Sequence, residues 1–305
     1  MIHLASDAVA IRIDPRHGGE VLDLIDLRSG RQLLGRPPFA SDEPVAGELD
    51  ETTWTRSYRG GWQVLAPNAG NPCAVDGVPH GFHGRTSTDP WTVIAAGPAA
   101  AELAWEGHGL HVQRRFTVSG DAVTAHSTVT AQRDAALVWV EHIALGLELL
   151  DPSAEIEIPG GRVYEVDERT GPTEPPDDAP RWPRARLLDG TLEHAGRAEL
   201  RSPRSRLLMV AGVEEGRVTV RNRDRGQAIA ITWDTSWLPH LWLWHEVRTS
   251  DGPWRRHGEL LVVEPASVPH TLGLTTARRL GQAHVLPASR VLSTEITLRP
   301  LRDTR

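Results

Sequence analysis

The chain has 305 residues, 39% of them hydrophobic, and its formal net charge is −7. This length and hydrophobic content allow a large buried core, in two domains or in one extended β domain; the negative charge argues against a nucleic-acid partner, which favours a basic surface. Every basic side chain other than histidine is arginine, which excludes Schiff-base lysine chemistry and a P-loop lysine.

The start of the chain and its cysteine content bear on location. Residues 1–7 lack a basic stretch followed by an apolar one, so no signal peptide is predicted. No apolar run approaches the roughly 20 residues of a membrane span. Cys73 is the single cysteine, which excludes an internal disulfide and fits a reducing compartment. We therefore expect a cytoplasmic protein with no membrane partner.

Short runs rich in valine, threonine and tryptophan, separated by turn-forming residues, recur along the chain. Such regular punctuation predicts antiparallel β-sheet. No linker divides the chain, so one β domain over residues 1–305 is expected, without an amphipathic helix longer than two or three turns. The predicted strands are residues 9–13, 21–27, 101–105, 111–118, 122–130, 154–158, 206–213, 217–221, 228–233, 241–247, 259–263, 270–275 and 293–298.

Two further segments stand apart from this pattern. Residues 137–150 are more continuously apolar than the other runs. They predict a central strand buried on both faces, although periodicity alone does not separate such a strand from a buried helix. Residues 167–183 are rich in proline, aspartate, glutamate and threonine, which predicts a long surface loop.

Four segments combine polar and aromatic side chains that could form a site. A carboxylate and a histidine at the ends of buried strands can form an acid–base pair. Tryptophan stacks on the apolar face of a sugar, and polar side chains bind the sugar hydroxyls. A carbohydrate site is therefore indicated. The segments are residues 68–85, with His80, His83 and Arg85; Glu141 and His142; residues 233–246, with four tryptophans; and Glu264 before Pro265.

Several motifs follow one another in order along the chain. They are a hairpin at residues 9–34, an RGG…P…G stretch at residues 59–70, an HG…W element from His83 to Trp91, the pair Glu141-His142, the triplet Val263-Glu264-Pro265, and closing strands at residues 280–298. Each motif is weak alone. Together, over nearly the whole chain, they resemble the aldose 1-epimerase (galactose mutarotase-like) superfamily.

The resemblance implies a fold and a reaction. The fold is an all-β supersandwich of large antiparallel sheets with a sugar cleft on one concave face. The reaction exchanges the α and β anomers of a free sugar: Glu264 removes the proton of the anomeric hydroxyl, and His142 protonates the ring oxygen. The ring opens to the aldehyde, the C1–C2 bond rotates, and the ring closes again. Only protons move, so no metal or organic cofactor is implied.

The resemblance also implies substrate contacts. His83 would bind the ring oxygen or a neighbouring hydroxyl, and it is favoured over His80 because its distance to Trp91 matches better. The residues after His142 differ from the aromatic context of well-studied galactose mutarotases, which leaves the sugar unidentified. The remaining predicted contacts are Arg59, Asp234, His80, Arg85 and Trp244.

Structural explanations compete with several of these roles. His142 could be a core histidine, Glu264 a charge at a strand end, and Glu141 a solvent-facing neighbour of His142. His80 and His83 could chelate a metal, but a third ligand is not evident nearby. The other candidates for purely structural roles are Arg85 paired with Asp89, the core tryptophans Trp242 and Trp244, and a rim pair of His245 and Glu246.

Other functions on the same fold stay open, because fold does not determine function. One is a non-catalytic carbohydrate-binding protein. A phosphosugar epimerase would use an arginine cluster such as Arg56, Arg59 and Arg85. A hydrolase would need a second carboxylate beside Glu264, for which Asp234 and Glu246 are the candidates. A lyase is a further alternative. The sequence does not decide between a monomer and a dimer.

Overall fold

The structure is a computed structural model that describes residues 1–38, 43–250, 254–288 and 290–302. In these ranges the chain forms mainly β-strands. The strands are β1 (Ile2–Ala5), β2 (Val9–Asp14), β3 (Glu20–Asp26), β4 (Arg31–Gln32), β5 (Trp62–Leu65), β6 (Cys73–Val75), β7 (Val78–His80), β8 (Thr92–Ala96), β9 (Ala100–Gly107), β10 (Leu110–Ser119), β11 (Ala122–Ala131), β12 (Ala135–Leu137), β13 (Val140–Leu145), β14 (Ser153–Glu157), β15 (Arg162–Val166), β16 (Arg184–Arg186), β17 (Leu192–His194), β18 (Arg197–Glu199), β19 (Arg204–Ala211), β20 (Arg217–Asn222), β21 (Gln227–Trp233), β22 (His240–Val247), β23 (Glu259–Ala266), β24 (His284–Leu286) and β25 (Leu292–Arg302). The helices are α1 (Glu51–Ser57), α2 (Leu147–Leu150) and α3 (Gly273–Leu280).

Two large sheets contain most of these strands. The first has 12 strands in the order β1-β2-β3-β5-β13-β23-β22-β19-β15-β16-β17, with β4 paired to β3. The second has nine strands in the order β18-β14-β20-β21-β25-β11-β10-β9-β8. Pairing is antiparallel throughout the described sheets except between β15 and β16. The predicted all-β architecture of large antiparallel sheets is confirmed.

A large apolar core lies between the two sheets. Successive side chains of a strand point to opposite faces, so the central strands of the first sheet give alternate residues to this core. Leu145 of β13 belongs to the same cluster as Phe116 of β10 and Ile296 of β25. Val140 and Ala144 of β13 belong to a second cluster on the opposite face. The predicted central strand is therefore confirmed, while the end of segment 137–150 forms α2.

Glu141 is fully buried between the sheets, so the expectation that it faces solvent is wrong. Arg114 donates two hydrogen bonds to its carboxylate, at 2.8 and 2.6 Å. The indole nitrogens of Trp62 and Trp139 donate two more, at 2.6 and 3.1 Å. The strand alternates as expected, but its second face meets another sheet instead of water. The buried Glu141 carboxylate is tolerated there because both of its oxygens accept hydrogen bonds from these side chains.

The predicted strand at residues 270–275 is also wrong, because α3 begins within it. The backbone N–H of Leu274 donates to Oδ1 of Asn68 at 2.7 Å. This partner at the helix start lies about 200 residues away in the sequence, so local pattern does not reveal it. Gly281 ends the helix in the left-handed conformation. The other predicted strands are present within a few residues of their expected bounds.

The predicted surface loop at residues 167–183 connects β15 to β16. None of the helices in the described ranges is long and apolar enough to span a membrane.

Candidate active site

A cleft of about 1290 Å³ opens on the face of the first sheet that points away from the second sheet. The neighbouring strands β13, β23 and β22 form its floor. The register that pairs Ile143 with Val263 places His142 beside Glu264, and Trp242 is the register partner of Glu264 on the other side. Helix α1 and the loops that follow β7, β15 and β22 form the walls.

Glu264 is the buried carboxyl of this floor, with 3% of its surface exposed. Its Oε2 has no hydrogen-bond partner among the described residues, and it lies 3.8 Å from Nε2 of His142. Burial, reinforced by the negative charge of Glu168, raises the pKa of Glu264 well above its ordinary value. The group therefore favours its protonated form, which is the form that burial without a partner requires.

His142 faces the same cleft from β13 and is 2% exposed. Burial lowers its pKa to about 3, against a smaller opposing contribution from its own backbone. The ring is therefore neutral at physiological pH. Its Nδ1 lies 3.3 Å from the hydroxyl of Tyr58, and its Nε2 faces Glu264. The carboxyl proton of Glu264 can therefore be shared between the two groups.

His83 lies at the side of the cleft, in the segment that carries both HG units. Its Nδ1 accepts a hydrogen bond from the backbone N–H of Gly70 at 3.0 Å, so a neutral ring carries its proton on Nε2. Burial and the proximity of His142 lower the pKa of His83 well below its ordinary value. His83 is thus a fixed, uncharged hydrogen-bond donor.

Helix α1 brings Trp54 against both histidines. The ring centroid of Trp54 is 4.4 Å from that of His83 and 5.8 Å from that of His142, with edge-on geometry in both cases. Sequence reasoning missed this helix because it has only seven residues. A signal was present in Asp50, whose side chain accepts from the N–H of Thr53 at 2.7 Å as an N-cap.

Tryptophans line the opposite part of the cleft. Trp242 and Trp244 share the cleft face of β22, and Trp254 follows from the loop after that strand. The centroids of Trp244 and Trp254 are 5.7 Å apart. Trp242 is buried and donates to the carbonyl of Val268 at 2.8 Å, which makes it structural, while Trp244 is partly exposed and able to contact a ligand.

Glu168 and Glu246 also line the cleft. Sequence reasoning did not name Glu168, and it named Glu246 only as a possible second carboxylate of a hydrolase. Burial and the charge of Glu51 raise the pKa of Glu168 to about 7. Its backbone carbonyl accepts from the hydroxyl of Thr271 at 2.7 Å, which fixes the start of the loop of residues 167–183. Glu246 is buried and accepts from the N–H of Thr249 at 3.2 Å, so its predicted place in a solvated rim pair is wrong.

No protein-family profile matches the chain, and no curated protein sequence matches it. Solved structures do match. A putative aldose 1-epimerase from Escherichia coli K12 aligns with a TM-score of 0.72 at 15% identity, covering 99% of this chain and 98% of the other. A putative aldose 1-epimerase from Klebsiella pneumoniae gives 0.68 at 16%, covering 98% and 78%. A galactose mutarotase-like protein from Lactobacillus casei gives 0.65 at 14%, covering 99% and 100%.

The chain has the galactose mutarotase-like fold. These alignments cover nearly all of the chain, so they confirm at the level of the fold the resemblance that the ordered motifs indicated. On this fold, the segments with His83, His142 and Glu264 meet in one cleft, and Trp244 lines it too.

Four other predicted substrate contacts lie outside the cleft of this galactose mutarotase-like fold. Arg59 is buried in an ion-pair cluster, with its guanidinium 2.9 Å from Asp14 and also bonded to Glu20. Arg85 pairs with Asp89 at 2.8 Å, which is the structural alternative considered for it. Both arginines are therefore paired with buried carboxylates outside the cleft.

His80 and Asp234 are the other two. His80 stacks on His108 with centroids 4.4 Å apart, so it and His83 do not converge on one point. Within the described ranges, no group of three histidine, cysteine, aspartate or glutamate side chains is arranged to hold a metal ion. Asp234 lies in the exposed turn after β21 and accepts from the N–H of Ser236 at 2.8 Å.

Proposed function

We propose that the protein is an aldose 1-epimerase that interconverts the α and β anomers of a free sugar in the cleft above β13, β23 and β22. The observation that carries the proposal is that Oε2 of Glu264, which is buried and has no hydrogen-bond partner among the described residues, lies 3.8 Å from Nε2 of His142. A buried polar atom without a partner at the floor of a cleft is a place where a bound ligand can complete the hydrogen bonding.

Anomer exchange requires two proton movements and no net change in protonation. One proton leaves the anomeric hydroxyl, and one reaches the ring oxygen as the bond from that oxygen to C1 breaks. C1 becomes an aldehyde carbon, the C1–C2 bond rotates, and the reverse steps close the other anomer. A pair of groups that holds one transferable proton is sufficient for this cycle.

Glu264 and His142 can supply the proton that the ring oxygen requires and accept the proton that leaves the anomeric hydroxyl. With no partner bound, the pKa shifts favour protonated Glu264 and neutral His142. Transfer of the proton to His142 gives the carboxylate base and the imidazolium acid without changing the total number of protons. A sugar hydroxyl that donates to Glu264 stabilises the carboxylate, which favours this transfer. Glu264 then acts as the base and His142 as the acid.

The surrounding groups fit a pyranose. His83 presents a fixed Nε2–H donor near the pair, suited to an acceptor oxygen such as the ring oxygen. Trp244 offers an apolar surface on which the face of a sugar ring stacks. Glu168 and Glu246 line the same cleft and supply acceptors for sugar hydroxyls.

The deciding experiment is anomer-exchange NMR on a panel of neutral and phosphorylated aldoses. We expect at least one sugar to exchange faster than the spontaneous rate. Glu264→Gln keeps the side-chain volume but removes the proton carrier, so it should lose about 100-fold or more in rate. The Arg85→Gln variant is the control, because its ion pair lies outside the cleft, and it should retain the rate.

The same experiment separates the alternative functions. Binding of a sugar, detected by line broadening without exchange, would indicate a carbohydrate-binding protein. Exchange restricted to phosphorylated sugars would indicate a phosphosugar epimerase that uses Arg56, the one member of the predicted arginine cluster that lines the cleft. Full activity in Glu264→Gln would contradict the mechanism.

A further inference from the structure

Three carboxyls line the cleft and act on one another. They belong to Glu168, Glu246 and Glu264, of which the last two are each 3% exposed. The charge of Glu168 adds to the burial that raises the pKa of Glu264. Burial also raises the pKa of Glu168 itself to about 7, and neighbouring carboxylates, including Glu246, add to that shift. The wall of the cleft is therefore a region of negative potential.

No arginine is paired with these three carboxyls. Among the described residues, Glu168 and Glu246 form no ion pair, and the Glu264 carboxyl faces a neutral histidine. Glu141, on the other face of the same sheet, shows the contrast, because Arg114 is paired with it at 2.6 Å. The fold supplies a cation to the buried carboxylate of the core, but it supplies none of this kind to the carboxyls of the cleft.

The arginines that line the cleft do not fill this role. Arg56, Arg169 and Arg255 are all exposed. The charge of Arg169 opposes the rise in the pKa of Glu168, but its guanidinium is 2.9 Å from the carboxylate of Glu51, and its side chain is 73% exposed. The attraction of Arg169 for Glu168 is therefore shared with Glu51 and weakened by water.

Indole rings lie next to the carboxyl of Glu246. Trp244 and Glu246 are two residues apart on β22, so their side chains point to the same face. Trp254 packs against Trp244 with ring centroids 5.7 Å apart. A Cβ added to Gly258 would lie 3.0 Å from both Glu246 and Trp254, which places these two side chains together. Carboxylates attract an ammonium group by charge-assisted hydrogen bonds, and indole rings attract it through their faces.

We propose that the aldose bound in the cleft is an amino sugar, whose ammonium group binds to the carboxylates of Glu168 and Glu246. A neutral sugar can donate hydroxyls to the same carboxylates, but it leaves their charges in place. An ammonium group offsets these charges in a partly buried site, where the attraction is stronger than at an open surface. The substrate class rests on the proposed function, whereas binding of the ammonium group does not require the reaction.

Binding can be measured without the reaction. A 1,5-anhydro sugar keeps the ring but has no anomeric hydroxyl, so it cannot exchange anomers. We expect NMR titration at pH 7 to show tighter binding, by about 10-fold, when an amino group replaces the hydroxyl at one of the positions C2, C3 or C6. Equal affinities of the amino and hydroxyl sugars at all three positions would overturn the inference.

Variants assign the preference to the two carboxylates. Glu168→Gln keeps the shape of the side chain and removes its charge, so it should remove most of the preference for the amino sugar. Glu246→Gln is a second variant, because its amide oxygen can still accept the hydrogen bond from Thr249. Asp234→Asn is the control: it removes a carboxylate in an exposed turn outside the cleft and should leave the preference unchanged. A full preference in both glutamine variants would contradict the assignment.

Anomer exchange of the reactive amino sugars then separates this inference from the proposed function. Catalysed kcat/KM, corrected for spontaneous exchange, should be about 10-fold higher for the preferred amino sugar than for its neutral counterpart. Preferential binding of amino sugars without exchange of any aldose would contradict the proposed function alone. Exchange of neutral aldoses with no preference for amino sugars would contradict this inference alone, and binding of no sugar in the panel would overturn both.

Discussion

Glu264 and His142 belong to neighbouring strands, β23 and β13, and they face each other with Oε2 and Nε2 3.8 Å apart. Both are almost completely buried, and the carboxyl oxygen lacks any other partner among the described residues. This buried carboxyl therefore lowers the stability of the fold at the place where proton transfer is proposed.

Glu264→Leu should increase the free energy of unfolding by about 1–3 kcal/mol, because it removes a buried carboxyl whose Oε2 has no hydrogen-bond partner in the described part of the chain, while it abolishes anomer exchange. Urea denaturation provides the measurement. Glu141→Leu is the matched control on β13: it leaves Arg114 buried without its carboxylate and should cost about 3–5 kcal/mol. Equal effects of the two substitutions would refute the distinction drawn between these glutamates.

The proposed reaction should not follow the titration of an ordinary histidine. The pKa of His142 is lowered to about 3, so the pair gains a second proton only near that pH. The raised pKa of Glu264 keeps the first proton bound well above 4.5. In Glu168→Gln, which removes the cleft carboxyl with a pKa of about 7, catalysed kcat/KM, corrected for spontaneous exchange, should thus stay level from pH 7.5 to 5.5. A half-maximal rate near pH 6.5 would show that His142 titrates like an exposed residue.

Gly70 should be required for the orientation of His83. Its φ is +81°, and an added Cβ would lie 1.9 Å from the carbonyl oxygen of Thr271. Gly70→Ala must therefore displace the backbone N–H that binds Nδ1 of His83, and kcat should fall by about 10-fold or more. Gly77→Ala is the control: its φ is +79° but no atom lies within 4 Å of the added Cβ. It should cost about 1 kcal/mol of stability and leave kcat unchanged.

Buried neutral histidines should make the fold sensitive to acid. Burial, with a contribution from Arg206, lowers the pKa of His245 to about 3 from 6.5. Below pH 6.5 the unfolded chain binds a proton at this residue and the folded chain does not. Stability is therefore lost as the pH falls, by up to about 1.4 kcal/mol per pH unit for this residue.

The variant His245→Gln isolates this contribution. Urea unfolding at pH 7.5 and 5.5 should show a smaller loss in the variant than in the wild type, by about 1 kcal/mol. The control is His111→Gln, since the His111 side chain is 37% exposed, and it should leave the loss unchanged. The same loss in all three proteins would contradict burial of a neutral His245.

The sequence predicted the strands well, because alternation of apolar and polar residues is a local property. It also predicted that His83, His142 and Glu264 lie together, through the order of the motifs and not through their individual strength. It failed at residues 270–275, where the hydrogen bond from Leu274 to Asn68 selects a helix. Long-range partners of this kind leave no trace in a short window of sequence.

Charged residues were the weakest part of the prediction. Arg59 and Glu141 look like surface or ligand-binding groups in the sequence, yet each is neutralised inside the protein by partners from distant strands. Glu168 was missed for the converse reason, since a proline-rich loop seldom signals a cleft-facing carboxyl. Whether a charged side chain faces a ligand depends on the positions of the oppositely charged side chains. The whole fold sets those positions.

Strand β13 carries two adjacent polar residues on opposite faces. Glu141 forms an ion pair with the second sheet, and His142 faces the cleft. Because side chains alternate, the insertion or loss of one residue in this strand would exchange them, leaving the cleft without its histidine and the core without its ion pair. The loops around the cleft have no such constraint. Variation among descendants of this chain can therefore alter the sugar that is bound far more readily than the proton chemistry beneath it.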